Sequence, residues 1–202
     1  MSKSSGPLTN ALIGGTEPNA RNVIAASRFS AIYLSTSNVN PYAGTRIVGN
    51  YIGTNAAGTG DVTGTGANTL QSGVFLHNGS NGNVVGGTSA VARNVISGNN
   101  HYGVEILTSS QNNLVQGNYI GTDVTGQVAL GNTNGGMSFW GAGTGNVIGG
   151  SAAGAGNVVA ANGTGVLVGS ASSGATIQGN YIGVAADGLT LLGNTAIGVD
   201  IQ

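Results

Sequence analysis

The pentapeptide GNYIG at residues 49–53 decides the fold, because it returns unchanged at residues 117–121 and 179–183. A second family of segments lies between these copies. The stretch ALIGGTEPNARNVIA starts at residue 11 and aligns without gaps to NVVGGTSAVARNVIS from residue 83 and to NVIGGSAAGAGNVVA from residue 146. Internal repetition on this scale is typical of solenoids, in which each repeat stacks on its neighbours.

Each super-repeat contains two coils, and each coil contains three short apolar segments separated by Gly, Asn, Ser or Thr. Segments of three to five residues with alternating hydrophobicity are strands, because helices need longer patterns. The clearest set of such segments consists of residues 32–34, 74–76, 104–106, 137–139, 166–168 and 199–201. A second set opens with asparagines, and a third centres on Ile47, Val85, Val115, Ile148 and Ile177.

The sequence therefore predicts an all-β fold, a right-handed parallel β-helix with three strands per turn and about six coils. The solenoid is expected over residues 10–202, with residues 1–9 as an N-terminal tail or cap. The alternation places Val104 and Ile106 inside and Glu105 outside, and it places Asp200 outside in the same way. A slip of one residue would bury both acids, which supports this register.

An asparagine opens each segment of the second set, and these residues are Asn22, Asn50, Asn94, Asn118, Asn157 and Asn180. Two interpretations remain open. Asparagine forms turns and tolerates left-handed backbone conformations. Alternatively, the side-chain amides form an internal ladder, each bonded to its counterpart or to backbone one coil away. The recurrence of one residue type in one register favours the ladder, and both roles are structural.

The composition excludes several classes of function. The chain has 39 glycines and 24 asparagines, and its formal net charge is −1 with only five basic residues. Nucleic-acid binding lacks its usual basic surface, so no nucleic-acid partner is expected. No apolar run is long enough to span a membrane, and residues 1–5 lack the apolar region of a signal peptide. The absence of cysteine excludes disulfides and thiolate metal sites.

Several segments resemble the parallel β-helix repeats of large bacterial surface and secreted proteins in the pectate-lyase-like superfamily. These segments are NYIGTDVTGQVALGN (118–132), NVISGN (94–99) with GVEI (103–106), and NLVQGNYIG (113–121). The resemblance covers almost the whole of residues 10–202 and implies an extracellular or cell-surface location for the parent protein. It does not choose a function, because that superfamily contains lyases, hydrolases, epimerases, adhesins and inert stalks.

Enzymes of the resembling superfamily use clustered acids, which this sequence does not provide. Its acids are scattered over different coils, and the Asn-Thr-Asp, Asp-Asp and Gly-His-Gly motifs of polygalacturonase-like enzymes are absent. Glu105 and Asp200 share a sheet face, but three coils at about 4.8 Å separate them by about 14 Å. This exceeds the carboxylate spacing of glycosidases. The sequence therefore predicts no catalytic, cofactor or metal site, and no cofactor.

The leading functional interpretation is a non-enzymatic structural module of an extracellular or cell-surface protein. The alternative is a carbohydrate-binding or polysaccharide-degrading domain with a polysaccharide partner. It would use the face beside the long loops at residues 54–72, 122–135 and 184–197, since long loops on rigid scaffolds often carry binding. The candidate ligand contacts are Glu105, Asp123, Trp140, Asp187 and Asp200.

The end of the sequence suggests self-association. Residues 199–201 form the second strand of a coil whose third strand does not follow. A solenoid end without a capping element exposes core side chains and unpaired backbone groups. The sequence is then either a segment of a longer solenoid or a chain whose end stacks against another molecule, and in either case we expect concentration-dependent end-to-end association.

Overall fold

Short β-strands make up the regular structure of the chain, and the computed structural model describes residues 9–35, 43–62 and 72–202. One short 3-10 helix spans Ala90–Ala92. The strands are β1 (Leu12–Gly14), β2 (Val23–Ile24), β3 (Ile32–Ser35), β4 (Arg46–Val48), β5 (Tyr51–Ile52), β6 (Val74–His77), β7 (Val84–Gly86), β8 (Val95–Ile96), β9 (Tyr102–Leu107), β10 (Leu114–Gln116), β11 (Tyr119–Ile120), β12 (Gly135–Trp140), β13 (Val147–Gly149), β14 (Val158–Val159), β15 (Thr164–Val168), β16 (Thr176–Gln178), β17 (Tyr181–Ile182) and β18 (Val199–Ile201).

The strands form three parallel sheets of six strands each. Sheet 1 contains β1, β4, β7, β10, β13 and β16; sheet 2 contains β2, β5, β8, β11, β14 and β17; sheet 3 contains β3, β6, β9, β12, β15 and β18. Each coil contributes one strand to each sheet in chain order, so coil 1 is β1–β3 and coil 6 is β16–β18. The prediction of a right-handed, three-stranded parallel β-helix of about six coils is confirmed.

The register of sheet 3 follows the alternation of the sequence. Val104 pairs with Val74 on one side and with Met137 on the other, and Glu105 pairs with Phe75 and Ser138. Sheet 1 contains one strand more than the sequence predicts, because the third set of apolar segments does not include β1 around Ile13. The strands of sheet 2 begin one residue after each asparagine, which places those asparagines at the corner between sheets 1 and 2.

In the described part of the chain, the interior is a continuous column of aliphatic side chains together with Met137 and one aromatic residue, Phe139. Its fully buried members come from all three sheets and include Ile47, Val85, Ile52, Ile120, Leu76 and Ile106. Burial of each such side chain contributes roughly 1.5–3 kcal/mol. This column offsets the entropy cost of ordering a glycine-rich chain.

Three loops project between sheets 2 and 3, in coils 2, 4 and 6. Each closes with an antiparallel bridge, between Thr54 and Asp61, Thr122 and Ala129, and Val184 and Leu191. The loops also stack on one another: Val124 N donates to Gly58 O and Ala186 N donates to Gly126 O, each at 2.9 Å. The loops therefore form a ridge along the solenoid.

The proposed N-terminal tail falls mostly outside the described residues, which begin at Thr9. Thr9 itself forms an isolated parallel bridge with Ala43 of the next coil. Among the described ranges, no helix is long and apolar enough to cross a membrane.

Candidate functional site

The six asparagines at the corner between sheets 1 and 2 form a continuous hydrogen-bonded ladder. Each Nδ2 donates to the Oδ1 of the asparagine in the next coil, at 2.9–3.1 Å from Asn22 through to Asn180. The backbone N–H of Asn118 donates to the same Asn157 Oδ1. Its Nδ2 also donates to Val85 O at 2.9 Å. The amide thus satisfies backbone groups and neighbouring amides together.

Two further ladders occupy the other corners, and the sequence reasoning missed both. Nδ2 to Oδ1 bonds at 2.8–3.3 Å link the members of one ladder in chain order: Asn99, Asn132, Asn162 and Asn194. Bonds of 2.9 and 3.1 Å link the members of the other: Asn83, Asn113 and Asn146. The sequence does contain a pattern for each of these ladders. An asparagine directly precedes three strands of sheet 1, and another asparagine lies four or five residues before the inward residue of four strands of sheet 3.

The outward face of sheet 3 carries most of the other candidate residues. Its central column runs along the solenoid in register and consists of Tyr33, Phe75, Glu105, Ser138, Leu167 and Asp200. No two of these residues are alike. Trp140 lies in a flanking position beside Leu107. The sheet therefore brings Glu105, Trp140 and Asp200 to one face but on different coils.

Glu105 is outward in register and yet only 6% exposed. Ser72 Oγ donates a hydrogen bond to Glu105 Oε2, and His101 Nδ1 lies 3.2 Å from the same oxygen. Ser72 Oγ also lies 3.2 Å from His101 Nδ1. Each of the three groups uses a single atom for both of its contacts: Ser72 Oγ, His101 Nδ1 and Glu105 Oε2. The three atoms therefore form a closed triangle. This differs from a relay, in which a base and its orienting acid use different ring nitrogens.

Tyr102 lies beside this cluster and responds to its charge. Its ring packs edge-on against His101, with centroids 4.8 Å apart. Burial raises the pKa of the Tyr102 hydroxyl, and the negative charges of Glu105 and Asp200 raise it further. This part of the face therefore carries a weak negative potential, and the Tyr102 hydroxyl stays protonated.

An aromatic cluster occupies the same face in coils 1 and 2. The rings of Tyr33 and Phe75 lie with centroids 5.3 Å apart, and His77 lies 5.2 Å from Phe75. The Tyr33 hydroxyl lies 3.3 Å from His77 Nδ1. Tyr33 and the neighbouring Phe29 are exposed, and with Phe75 they line a groove of about 390 Å³.

Trp140 and Asp200 make local contacts. The Trp140 ring covers Gly169 of the next coil so closely that a Cβ there would lie 2.1 Å from it. The ring remains about half exposed. Asp200 Oδ2 accepts from Gln202 Nε2 at 2.9 Å.

The loop acids Asp123 and Asp187 accept hydrogen bonds from their own loops. Asp123 Oδ1 accepts from Thr125 Oγ1 at 2.7 Å and from backbone N–H groups of the loop. Asp187 accepts from Leu189 N, Thr190 N and Thr190 Oγ1. These bonds lower the pKa of Asp187, the Thr190 backbone bond most. Both carboxylates therefore shape turns.

Beneath the loop ridge, arginines stack on the tyrosines of sheet 2. The Arg21 guanidinium carbon lies 4.1 Å from the centroid of Tyr51, and that of Arg93 lies 4.0 Å from the centroid of Tyr119. Each arginine also donates its Nε to a backbone carbonyl, at 3.1 Å. Each stacked arginine therefore contacts the tyrosine of the next coil and closes one side of its ring.

Three parallel sheets wound in six coils, with amide ladders at the corners, define a parallel β-helix protein. A family model described as "Periplasmic copper-binding protein (NosD)" matches residues 16–186. The chain belongs to this family. No curated protein and no solved structure matches the chain. The resemblance to parallel β-helix repeats is confirmed by the family match and the fold together.

The donor set does not fit the copper centre that the family description implies. Copper sites use thiolate, thioether and imidazole ligands, and Cu(II) also takes other nitrogen and oxygen ligands in a square-planar arrangement. The sequence has no cysteine. Met137 is fully buried in the core. The register places His77 beside Leu107, six strand positions from His101, which is about 20 Å. In the described part of the chain, no three His, Cys, Asp or Glu residues group around a point that could hold a metal ion.

Proposed function

We propose that this chain is a non-enzymatic structural module, a stiff β-helical rod within a larger protein. The observation that carries the proposal is the set of three asparagine ladders, one at each corner. Each ladder bonds side-chain amides to backbone one coil away. Coils 3, 4 and 5 are therefore tied at all three corners, and the other pairs of neighbouring coils are tied at one or two. A buried polar network that is fully bonded makes a structure rigid and specific.

The positions of the acids support a role without catalysis. Asp123 and Asp187 are bonded within their own loops, and Glu105 is enclosed by Ser72 and His101. Glu105 and Asp200 lie three strands apart in sheet 3, about 14 Å on the strand spacing. A carboxylate pair that cleaves a glycosidic bond needs roughly 5–9.5 Å.

The location we propose is outside the cytoplasm of a bacterium. The family description names a periplasmic protein, and this supports export of the chain across the inner membrane. The cell surface is a finer proposal that rests on the resemblance of the repeats to surface proteins. Copper binding is not part of the proposed function, because His77 and His101 lie about 20 Å apart on the strand spacing and the sequence has no cysteine to supply a thiolate.

Incubation with polygalacturonate and alginate, with and without calcium, tests the absence of catalysis. We expect no soluble products by reducing-end assay or by absorbance of unsaturated sugars. Turnover that disappears in Glu105→Gln or Asp200→Asn would contradict the proposal. Limited proteolysis tests the rod itself, and we expect cleavage only within loops while the folded coils persist.

Polysaccharide binding is a second candidate, supported by the aromatic cluster on sheet 3. Exposed rings stack on the apolar faces of sugars, and Phe29 and Tyr33 are 69% and 54% exposed. Tyr33 and Phe75 lie on adjacent coils with centroids 5.3 Å apart, so they present one surface. The Tyr33 hydroxyl adds a polar edge.

Affinity electrophoresis in gels containing neutral or acidic polysaccharides tests this second candidate. We expect retardation by at least one polymer and its loss in the double variant Tyr33→Ala/Phe75→Ala. The matched control is Trp140→Ala, which removes an aromatic residue from the same face but outside the cluster. Equal retardation of the wild type and the double variant would exclude the cluster as the binding surface.

We also propose end-to-end association through the outer strand of sheet 3. Ile201 in β18 is 75% exposed, and an outer strand offers unpaired backbone groups to a second chain. Sedimentation over a hundredfold concentration range should show association that Ile201→Lys weakens. A wild type that is monomeric throughout would refute it.

A further inference from the structure

The coils are of two kinds, and the two kinds alternate along the solenoid. Coils 1, 3 and 5 carry a turn between sheets 1 and 2, at residues 15–21, 87–93 and 150–156. Coils 2, 4 and 6 carry the GNYIG segment and the projecting loop. Twice within the chain, after coils 2 and 4, a turn-bearing coil therefore packs on a loop-bearing coil. Coil 6 is loop-bearing, and coil 1 is turn-bearing.

The three turns share one conformation. In each of them an alanine N–H donates, at 3.0–3.1 Å, to the carbonyl oxygen three residues earlier. The pairs are Ala20 with Glu17, Ala92 with Ser89, and Ala155 with Ala152. The turn of coil 1 is therefore built like the turns of coils 3 and 5, which each pack on a loop-bearing coil.

A loop-bearing coil donates a backbone hydrogen bond to the turn of the coil that follows it. The donors are Gly49 N and Gly117 N, and their acceptors are Ala92 O at 3.1 Å and Ala155 O at 2.9 Å. The equivalent donor of coil 6 is Gly179 N, which has no such acceptor in the part of the chain that the structure describes. The equivalent acceptor on coil 1 is Ala20 O. The two ends of the solenoid thus carry the two halves of one recurring bond.

The backbone bonds of sheet 2 have the same polarity at every step. The N–H of the first residue of a strand donates to the carbonyl of the asparagine in the preceding coil, as from Tyr181 to Asn157 at 2.8 Å. The outer edge of β2 therefore presents Val23 N, and that of β17 presents Asn180 O. The corner ladder is also directional, since each Nδ2 donates to the next coil. Among the described residues, Asn180 Nδ2 therefore ends the ladder without a next amide, and Asn22 Oδ1 begins it without a previous one.

A second copy of the chain, placed with its coil 1 on coil 6, would continue all of these series together. Gly179 N would donate to Ala20 O, Val23 N would donate to Asn180 O, and Asn180 Nδ2 would donate to Asn22 Oδ1. A pairing of two coil 6 faces about a two-fold axis would run the strands antiparallel and would bring no turn carbonyl to Gly179 N. The polarity of the bonds therefore favours unlike faces.

The same register brings partly exposed apolar side chains together. Ile201 belongs to the inward column of sheet 3 that begins at Leu34, so Leu34 of the second copy would follow it. In sheet 2, Tyr181 would be followed by Val23 of the second copy. Ile201, Tyr181 and Val23 are 75%, 49% and 46% exposed, and contact would remove apolar surface from water.

We propose that coil 6 binds coil 1 of a second copy of this chain, head to tail and in the register of the repeat. This inference rests on the end-to-end association proposed above, and it adds the face that coil 6 takes. A head-to-tail contact does not close on itself, so it adds copies into an open chain.

Sedimentation with two variants, each blocked at one face, tests the polarity. Val23→Pro removes the N–H that coil 1 offers, and proline is tolerated in an edge strand where its nitrogen faces outward. Ile201→Lys places a charge on coil 6. Over a hundredfold concentration range, the average mass of the wild type should rise beyond that of a dimer, and each variant alone should stay monomeric. An equal mixture of the two variants should form a dimer and no larger species, because it retains one open face of each kind.

Other outcomes separate this inference from the association on which it rests. A wild type that is monomeric throughout would refute both. Self-association of either variant alone would overturn the head-to-tail arrangement and leave association standing, and so would an equal mixture that stays monomeric while the wild type associates. Leu34→Lys is a second block of coil 1 if Val23→Pro loses the dispersed amide spectrum of the folded chain. The matched control is Val128→Lys, at an exposed aliphatic residue in the loop of coil 4, which should associate like the wild type.

Discussion

The corners of the solenoid and the outward face of sheet 3 follow opposite rules. At the corner between sheets 1 and 2, six successive coils carry asparagine. On the outward face, six successive coils carry Tyr33, Phe75, Glu105, Ser138, Leu167 and Asp200. A corner amide must bond to an identical partner above and below, whereas an outward side chain needs only to avoid a clash.

This contrast separates residues that the stacking of coils requires from residues that are free to serve a function. A residue that recurs in every coil is held there by the coils next to it. A residue that departs from its repeat is not required by stacking, and the departures here are the aromatic cluster and the Glu105 cluster.

Replacement of a mid-solenoid ladder asparagine should have the largest effect. Asn118→Ala removes the Oδ1 that accepts from Asn94 Nδ2 and the Nδ2 that donates to Val85 O, and Asn94 and Val85 are both buried. Buried unpaired groups cost about 1–3 kcal/mol, so the free energy of unfolding in urea should fall by about that amount or more. Asn134→Ala, at an exposed position, is the control and should change it by less than about 0.5 kcal/mol. Equal losses of unfolding free energy in the two variants would mean that the ladder hydrogen bonds add no stability beyond the turn-forming role of asparagine.

The same contrast explains how much the sequence could predict. Coil number, sheet number and the register of sheet 3 followed from repeated apolar triplets. The ladder at Asn22 to Asn180 was visible because it precedes every strand of sheet 2. A second ladder could not be recognised in the sequence, because it begins only in coil 3 and because the number of residues between each asparagine and the next strand varies. Its members are Asn99, Asn132, Asn162 and Asn194.

The Glu105 cluster could not be predicted from alternation at all. Alternation correctly gave Glu105 an outward direction. Its burial depends on Ser72 and His101, which precede two different strands and follow no repeat. Contacts among non-repeated residues leave no periodic signal, so only coordinates reveal them.

Removal of the Glu105 carboxylate should have an intermediate effect. Glu105→Ala takes the shared partner from Ser72 and His101. A lost bond to a charged group costs about 1.5–3 kcal/mol, and solvent near His101 will reduce that loss. We expect about 1 kcal/mol less stability by thermal and urea unfolding. The matched control is Asp200→Ala in the same column, with a change below about 0.5 kcal/mol. If both variants lose equally little, Glu105 belongs with the other unconstrained outward residues.

Protonation of Asp187 should have the smallest and most local effect. Its pKa is lowered by hydrogen bonds from Thr190 N, Leu189 N and Thr190 Oγ1, in that order. A carboxyl whose pKa is lower in the folded chain adds stability above its unfolded pKa, about 3.9. That contribution disappears as the pH falls through the lower folded value. Because the carboxyl is fully exposed, the change should be confined to the loop and leave global unfolding almost unaltered. In a carbon-detected NMR titration, the Asp187 carboxyl should titrate below about 3.9, and the Leu189 and Thr190 amides should shift with it. Asp187→Asn should remove that titration while the ladder asparagines keep their shifts. A midpoint at or above the ordinary value would show that the loop hydrogen bonds do not stabilise the charged carboxylate.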